Sequence, residues 1–238
     1  AGWPGQSCWL SAIAGRFTGS EWFLDIYNNT GDAAFTDQPF LDALSVFGDL
    51  RDAEALNDDF ASIDTSTARS LYYNRRAAMF IEGQWAINAI VLNAPDDVVN
   101  ATRIAVLPPF EGAIGTQMSS SGGSGWAQSL RADLEGAELE AAWDLTKLLT
   151  GVENANMMAS LGEVGASFPS EQVDESSIHP LFLEYRDLVS SFDTIHQVYD
   201  AYLDARIVEP LQVGITEILL GRTTPEQLAG ELQGVLEG

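Results

Sequence analysis

Apolar residues recur at intervals of three and four along most of this chain, a pattern that predicts many helices and few strands. Trp22, Phe23, Ile26 and Tyr27 follow Ser20 at helical spacing and run into Asn28-Asn29-Thr30-Gly31-Asp32, so a short first helix and a turn are expected. Asp37-Gln38-Pro39 is a helix start, and Phe40, Leu41, Leu44, Phe47 and Leu50 then form one apolar stripe. Helices are also expected over 65–74 and 84–92, from 135 with Ala141, Ala142, Leu145, Leu148 and Leu149 on one face, and from 152 to Gly162. Pro180 opens another carrying Leu181, Phe182, Tyr185, Leu188 and Val189, and 199–220 reads as a long helix interrupted or kinked at Pro210. Gly221 closes that segment, after which Thr224, Pro225 and Gln227 spell a capping box. Two short apolar runs, 77–81 and 103–107, read as strands, and Trp126-Ala127 is placed on or beside a third. Strands scattered among helices give an α/β or α+β class in which helices dominate.

Composition narrows the function classes. At 238 residues, 46% of them hydrophobic, the chain is long and apolar enough for a sizeable core. Eleven basic against 35 acidic residues leave a net charge of −24, which repels nucleic-acid phosphates and anionic lipid and leaves neutral or cationic ligands. Cys8 is the single cysteine, so no intrachain disulfide forms, and an oxidising compartment is permitted without being indicated. The longest charge-free stretch, 112–130, is rich in Gly, Ser and Thr and does not read as a membrane span. The chain opens directly on Ala-Gly-Trp-Pro, with no leader pattern, as though partway through a longer protein.

Catalytic signatures are sparse. Metal, phosphate-loop and dinucleotide motifs are missing, so neither a cofactor nor a metal is expected. Gly-Gly-Ser-Gly-Trp at 122–126 falls short of a nucleophile elbow because Trp126 stands where the closing glycine belongs. His179, before Pro180, and His196, in an expected loop, read as cap or surface residues. Paired carboxylates mark no glycosidase site in a chain this acidic. The tryptophans say more. Trp3, Trp9, Trp85 and Trp126 sit beside Pro, Ser, Gln or Gly at element ends, where clefts form, whereas Trp22 and Trp143 lie within helical stretches and read as core. An indole covers the C–H face of a sugar ring, and neighbouring amides and hydroxyls satisfy the sugar's own hydroxyls.

The ordered set Trp3-Pro4, Phe35-Thr36-Asp37-Gln38-Pro39, Ala77 through Ala86 (AAMFIEGQWA), Val106-Leu107-Pro108-Pro109, Gly122 through Trp126, Phe168-Pro169 and Gly221-Arg222-Thr223-Thr224 resembles the later part of family 1 extracellular solute-binding proteins. These are the sugar receptors of ABC importers, related to maltose-binding protein. The resemblance implies a periplasmic-binding-protein type II fold, here its C-terminal lobe plus a crossover segment of the N-terminal lobe. Its divisions would be 1–113 and 171–238 for the C-terminal lobe and 114–170 for the crossover. The family's Ala-Met-x-x-x-Gly-x-Trp segment maps a sugar-stacking role onto Trp85, with Gln84 beside it, and places Trp126, Gly123 and Ser124 at the cleft border. Trp3 and Trp9 map to an aromatic segment of the same lobe. One departure is Asn74-Arg75-Arg76, where the family often has a glycine and a lysine. The other is the missing first half of the N-terminal lobe.

The leading reading is a carbohydrate-binding receptor for a mono- or oligosaccharide, working with importer permease subunits and without nucleic acid. Its parent would be periplasmic or extracellular and anchored as a lipoprotein. The exposed crossover helix would favour a homodimer. A polyamine or other cation is the alternative ligand. The alternative functions are a glycoside-hydrolase fragment using paired carboxylates and a helical interaction domain.

Overall fold

The computed structural model of the chain describes residues 4–122, 127–163, 172 and 174–238. A π-helical turn, Pro4–Cys8, leads into α1 (Trp9–Asn28), α2 (Gln38–Asp52), α3 (Thr65–Tyr73), α4 (Ala86–Asn93) and α5 (Asp96–Ala101). Strand β1 (Ser119–Gly122) is followed by α6 (Gly136–Thr150), α7 (Val152–Ser160) and α8 (Pro180–Ser190), and β2 (Thr194–Gln197) by α9 (Ala205–Leu219) and α10 (Pro225–Glu237). The class is helix-rich α/β, as the family resemblance implies.

The chain forms two units. The first comprises Ala1–Gly83, Val106–Gly123 and Ser191–Gly238, and the second Gln84–Ala105 and Ser124–Ser190. The divisions expected from the sequence fell instead at 113/114 and 170/171. Within the second unit Asn88 Nδ2 of α4 donates to the Leu161 carbonyl at 2.8 Å, and the Ile104 amide donates to the Glu184 carboxylate of α8 at 2.7 Å.

In the first unit the core is built on α1. From Trp9 to Thr18 every residue is buried, then Gly19 breaks the helix at φ +76°, and the amphipathic second half buries Phe23 and Ile26. Around it pack Phe40, Ala43, Leu44 and Phe47 of α2, Ile207, Leu211, Ile215 and Ile218 of α9, and Leu228, Ala229 and Leu232 of α10. Each such Phe, Leu or Ile contributes about 1.5–3 kcal/mol by leaving water. Trp22 stacks on Phe40 at 5.0 Å and donates Nε1–H to Asp37 at 2.8 Å, so this tryptophan packs on the core as expected. The capping box is present: the Gln227 amide donates to Thr224 Oγ1 at 3.3 Å and the Thr224 amide to Gln227 Oε1 at 3.1 Å. Helix α9 continues through Pro210, which lies inside it and gives up the bond to the Arg206 carbonyl.

Several expectations are corrected. Neither 77–81 nor 103–107 forms a strand; among the described residues no neighbouring strand offers them a ladder, and Met79 is 84% exposed. The described sheet is instead β1 and β2, paired in parallel from Ser119↔Thr194 to Gly122↔Gln197. The expected strand at Trp126 lies outside the described residues. His196 is on β2 and buried, not in a surface loop. In the second unit α4 buries Ala86, Ile87 and Ile90, α5 buries Val98, and α8 buries Leu181, but α6 buries nothing. Trp143 is therefore exposed rather than core, as are Leu145 and Leu148, the latter at 66%. His179 caps as expected, its Nδ1 accepting the Leu181 amide at 3.2 Å.

The middle of α1 fastens three segments that lie next to passages between the units. Buried Arg16 donates to the carbonyls of Leu107 and Pro108, just after the return at 105/106, and to that of Ser119 on β1. His196 ties in β2. Ser119 Oγ donates to the Thr116 carbonyl, so it accepts from His196 Nε2–H at 3.2 Å, and Nδ1 accepts from Ser20 Oγ at 2.9 Å. In the neutral imidazole these roles place the proton on Nε2. Burial first, and the Arg16 charge second, hold its pKa below the ordinary 6.5. A group kept neutral by the fold contributes stability that is fully present above about 6.5 and lost as pH falls from there through its depressed folded value. The unfolding free energy of wild type, from urea denaturation, is therefore expected to drop more between pH 7 and 5 than that of His196→Gln, by up to about 1.4 kcal/mol per pH unit. Identical profiles for the two proteins would remove His196 from the pH dependence.

Candidate functional site

One edge of the first unit gathers polar side chains where the chain leaves it, after Gly83 and after Gly123. The Pro4–Cys8 turn lies against the Tyr199–Ala201 turn, Ser121 Oγ donates to the Cys8 carbonyl at 2.8 Å, and Gly122 stands opposite Gln197 in the sheet. The half-buried Cys8 thiol is pushed up to about 12, chiefly by burial and then by the negative charges of Asp200 and Glu82, which places both carboxylates near it.

Glu82 is held in a two-pronged pair with Arg69, through Nε at 2.8 Å and through Nη2, and its carboxylate is buried. A carboxylate clasped this way is fixed as an acceptor and is poorly placed to act as a general acid. Beside it, the Tyr73 hydroxyl is raised in pKa by burial, with Arg69 and Glu82 acting in opposite directions. The Tyr73 hydroxyl and Gln197 Oε1 are buried and make no hydrogen bond among the described residues. Buried polar atoms almost always find partners, so this edge has hydrogen-bonding capacity that water or a ligand would complete. No group of three His, Cys, Asp or Glu side chains able to hold a metal occurs among the described residues.

No known sequence-family profile matches the chain, and no curated protein matches it by sequence. Solved structures do match. A protein from work on xylan utilization by the thermophilic bacterium Caldanaerobius polysaccharolyticus superposes with TM-score 0.83 and 21% identity, over 98% of this chain and 58% of that one. A chitin oligosaccharide binding protein gives 0.81 and 21%, over 96% of this chain and 55% of its own. The maltose/maltodextrin-binding domain MalE from Bdellovibrio bacteriovorus, bound to maltotriose, gives 0.64 and 22%, over 91% and 55%. The chain has the solute-binding-protein fold. It spans somewhat over half the length of these relatives in structure.

Within this solute-binding-protein fold the candidates read from the sequence part company. Trp85 stands at the N-cap of α4, half-buried, three residues after Glu82 in the chain, and the buried Ile87 and Ile90 fix the helix behind it. Gln84 precedes it; its backbone carbonyl accepts the Ile87 amide at 3.0 Å, while its side-chain Oε1 is buried without a hydrogen bond among the described residues. Trp9 is corrected: it is 9% exposed in the core, with its ring edge-on to Phe47 at 5.4 Å, which leaves no open indole face for a sugar to stack on. Trp3, Trp126, Gly123 and Ser124 lie outside the described residues. The sequence reading missed Tyr73, Gln197, Asp200 and the Arg69–Glu82 pair. Single polar residues scattered over distant segments carry no periodic signal; only Glu82, adjoining Gly83-Gln84-Trp85, lay beside a segment already singled out.

Proposed function

We propose that this chain is the sugar-contacting part of a receptor for an ABC-type importer, binding a neutral mono- or oligosaccharide. The observation that carries the reading is the superposition over 96–98% of the chain on proteins that include a chitin oligosaccharide binding protein. Trp85 supplies the aromatic platform, with Gln84 beside it. Trp126, Gly123, Ser124 and Trp3 are further cleft candidates on the family resemblance alone. Such a receptor works with permease subunits from a periplasmic or extracellular position, its parent anchored as a lipoprotein. The proposal includes a missing lobe: α6 buries no residue, and its Trp143, Leu145 and Leu148 belong against further chain or, failing that, against a second copy. Half a cleft lacks opposing groups, so affinity is expected in the millimolar range.

Calorimetric titration with maltose, diacetylchitobiose and xylobiose tests this. Trp85→Ala is expected to weaken binding about tenfold or more, the loss of one stacking platform. Unchanged affinity in that variant would remove Trp85 from the site, and turnover of aryl glycosides abolished by a single Asp or Glu substitution would put a hydrolase in place of the receptor.

A further inference from the structure

On the first unit a hollow of about 420 Å³ opens among the second half of α1, the turn before α9 and the end of α10. Ile26, Leu203 and Ile207 are buried beneath it, giving an apolar floor. Its walls are two tyrosines, Tyr27 and Tyr202, 48% and 44% exposed, with ring centroids 5.9 Å apart and planes at 83°. Two such rings meet edge to face and make a corner rather than a sandwich, and about half of each side chain stays exposed. Polar groups complete the rim. Asn29 sits there in the left-handed region at φ +50°. Arg206 is clasped by Asp204, Nε to Oδ1 at 3.1 Å and Nη2 to Oδ2 at 3.3 Å, and that carboxylate also caps α9 through the Arg206 amide at 2.8 Å. The guanidinium is thereby oriented, and its Nη1 makes no hydrogen bond among the described residues.

The chemistry of the occupant follows from these walls. The net charge of −24 disfavours an anion. A wholly apolar ligand would leave the Asp204–Arg206 pair and Asn29 desolvated against nothing. A saccharide ring matches both halves, its C–H face against a tyrosine and its hydroxyls toward planar amide, guanidinium and carboxylate groups, and the volume lies within the usual range for small-ligand sites. We infer that this hollow is a second saccharide site, taking one or two sugar rings independently of Trp85. It stands whether or not the chain is an importer receptor.

Backbone amide NMR of the full chain, titrated with maltose, diacetylchitobiose and xylobiose, tests the inference in wild type and in Trp85→Ala. Saturable shifts at Tyr27, Asn29, Tyr202 and Arg206 are expected in both proteins with at least one of the three sugars. Tyr202→Ala is expected to raise the midpoint about fivefold to tenfold. Because Tyr202 also touches Phe23, at 6.1 Å between centroids, Arg206→Ala serves as a second variant outside the core and is expected to raise it as well. Weakening in either variant supports the site. Absence of saturable shifts at these residues with all three sugars, or midpoints unchanged in both variants, overturns it. Loss of the response in Trp85→Ala alone overturns its independence and returns the sugar to the Trp85 site.

Discussion

Arg16→Met is expected to lower the unfolding free energy of the first unit by about 3 kcal/mol or more, read from urea denaturation followed by tryptophan fluorescence. The side chain is buried, and its guanidinium meets three backbone carbonyls, those of Leu107, Pro108 and Ser119, at 2.5, 2.9 and 2.6 Å. Methionine fills much of the volume but donates nothing. Each carbonyl left unpaired in the interior costs about 1–3 kcal/mol, and part of the total is returned because a charge whose pKa burial already lowers no longer has to be desolvated. Lysine should rescue only in part, since a single ammonium lacks the fork that reaches segments on two sides. A loss under 1 kcal/mol for Arg16→Met would mean that water takes over the carbonyls and that the clamp is dispensable.

Gly115→Ala is expected to be nearly as damaging, by about 2–3 kcal/mol in the same assay. A Cβ on Gly115 would fall 2.3 Å from the Gly15 carbonyl oxygen and 2.7 Å from that of Arg16, and backbone atoms cannot turn aside as a side-chain tip can. The Gly115 amide also donates to the Arg16 carbonyl at 2.7 Å, so displacing this segment loosens the approach to β1 as well. Both substitutions act on one contact region, so the double variant should lose less than the sum of the two. Strict additivity would show that the two segments are held separately.

These positions also show what the sequence could and could not reveal. Helices α2, α8 and α10 were legible because each presents one apolar stripe and a proline or capping residue at its start, and those signals are local. The first half of α1 was not. It is buried on every side, so its apolar residues follow no stripe, and periodicity is silent for a helix without a wet face. The two strands were missed for the opposite reason: Ser119-Ser120-Ser121-Gly122 carries no apolar alternation, and its pairing with Thr194 through Gln197 is fastened by Arg16 reaching in from α1 and by His196 on β2 itself. The runs at 77–81 and 103–107 have strand composition but no ladder among the described residues, and composition cannot say whether a partner strand is present. Trp85 stands out in the sequence as a cleft candidate through its Gly-Gln-Trp setting. The acceptors at Tyr73 and Gln197 became visible only when the fold brought residues more than a hundred positions apart to one edge.

The uncovered helix α6 has a colloidal consequence. Copies of this chain carry Trp143, Leu145 and Leu148 into solvent, yet each copy also carries 35 carboxylates against 11 basic groups, and like charge keeps such faces from meeting. That repulsion reaches about 10 Å at 0.1 M salt and only about 3 Å at 1 M. Dispersion of the chain therefore rests on an electrostatic barrier that salt or acid erodes, while the attraction between the exposed indole and leucine side chains remains as the barrier shrinks.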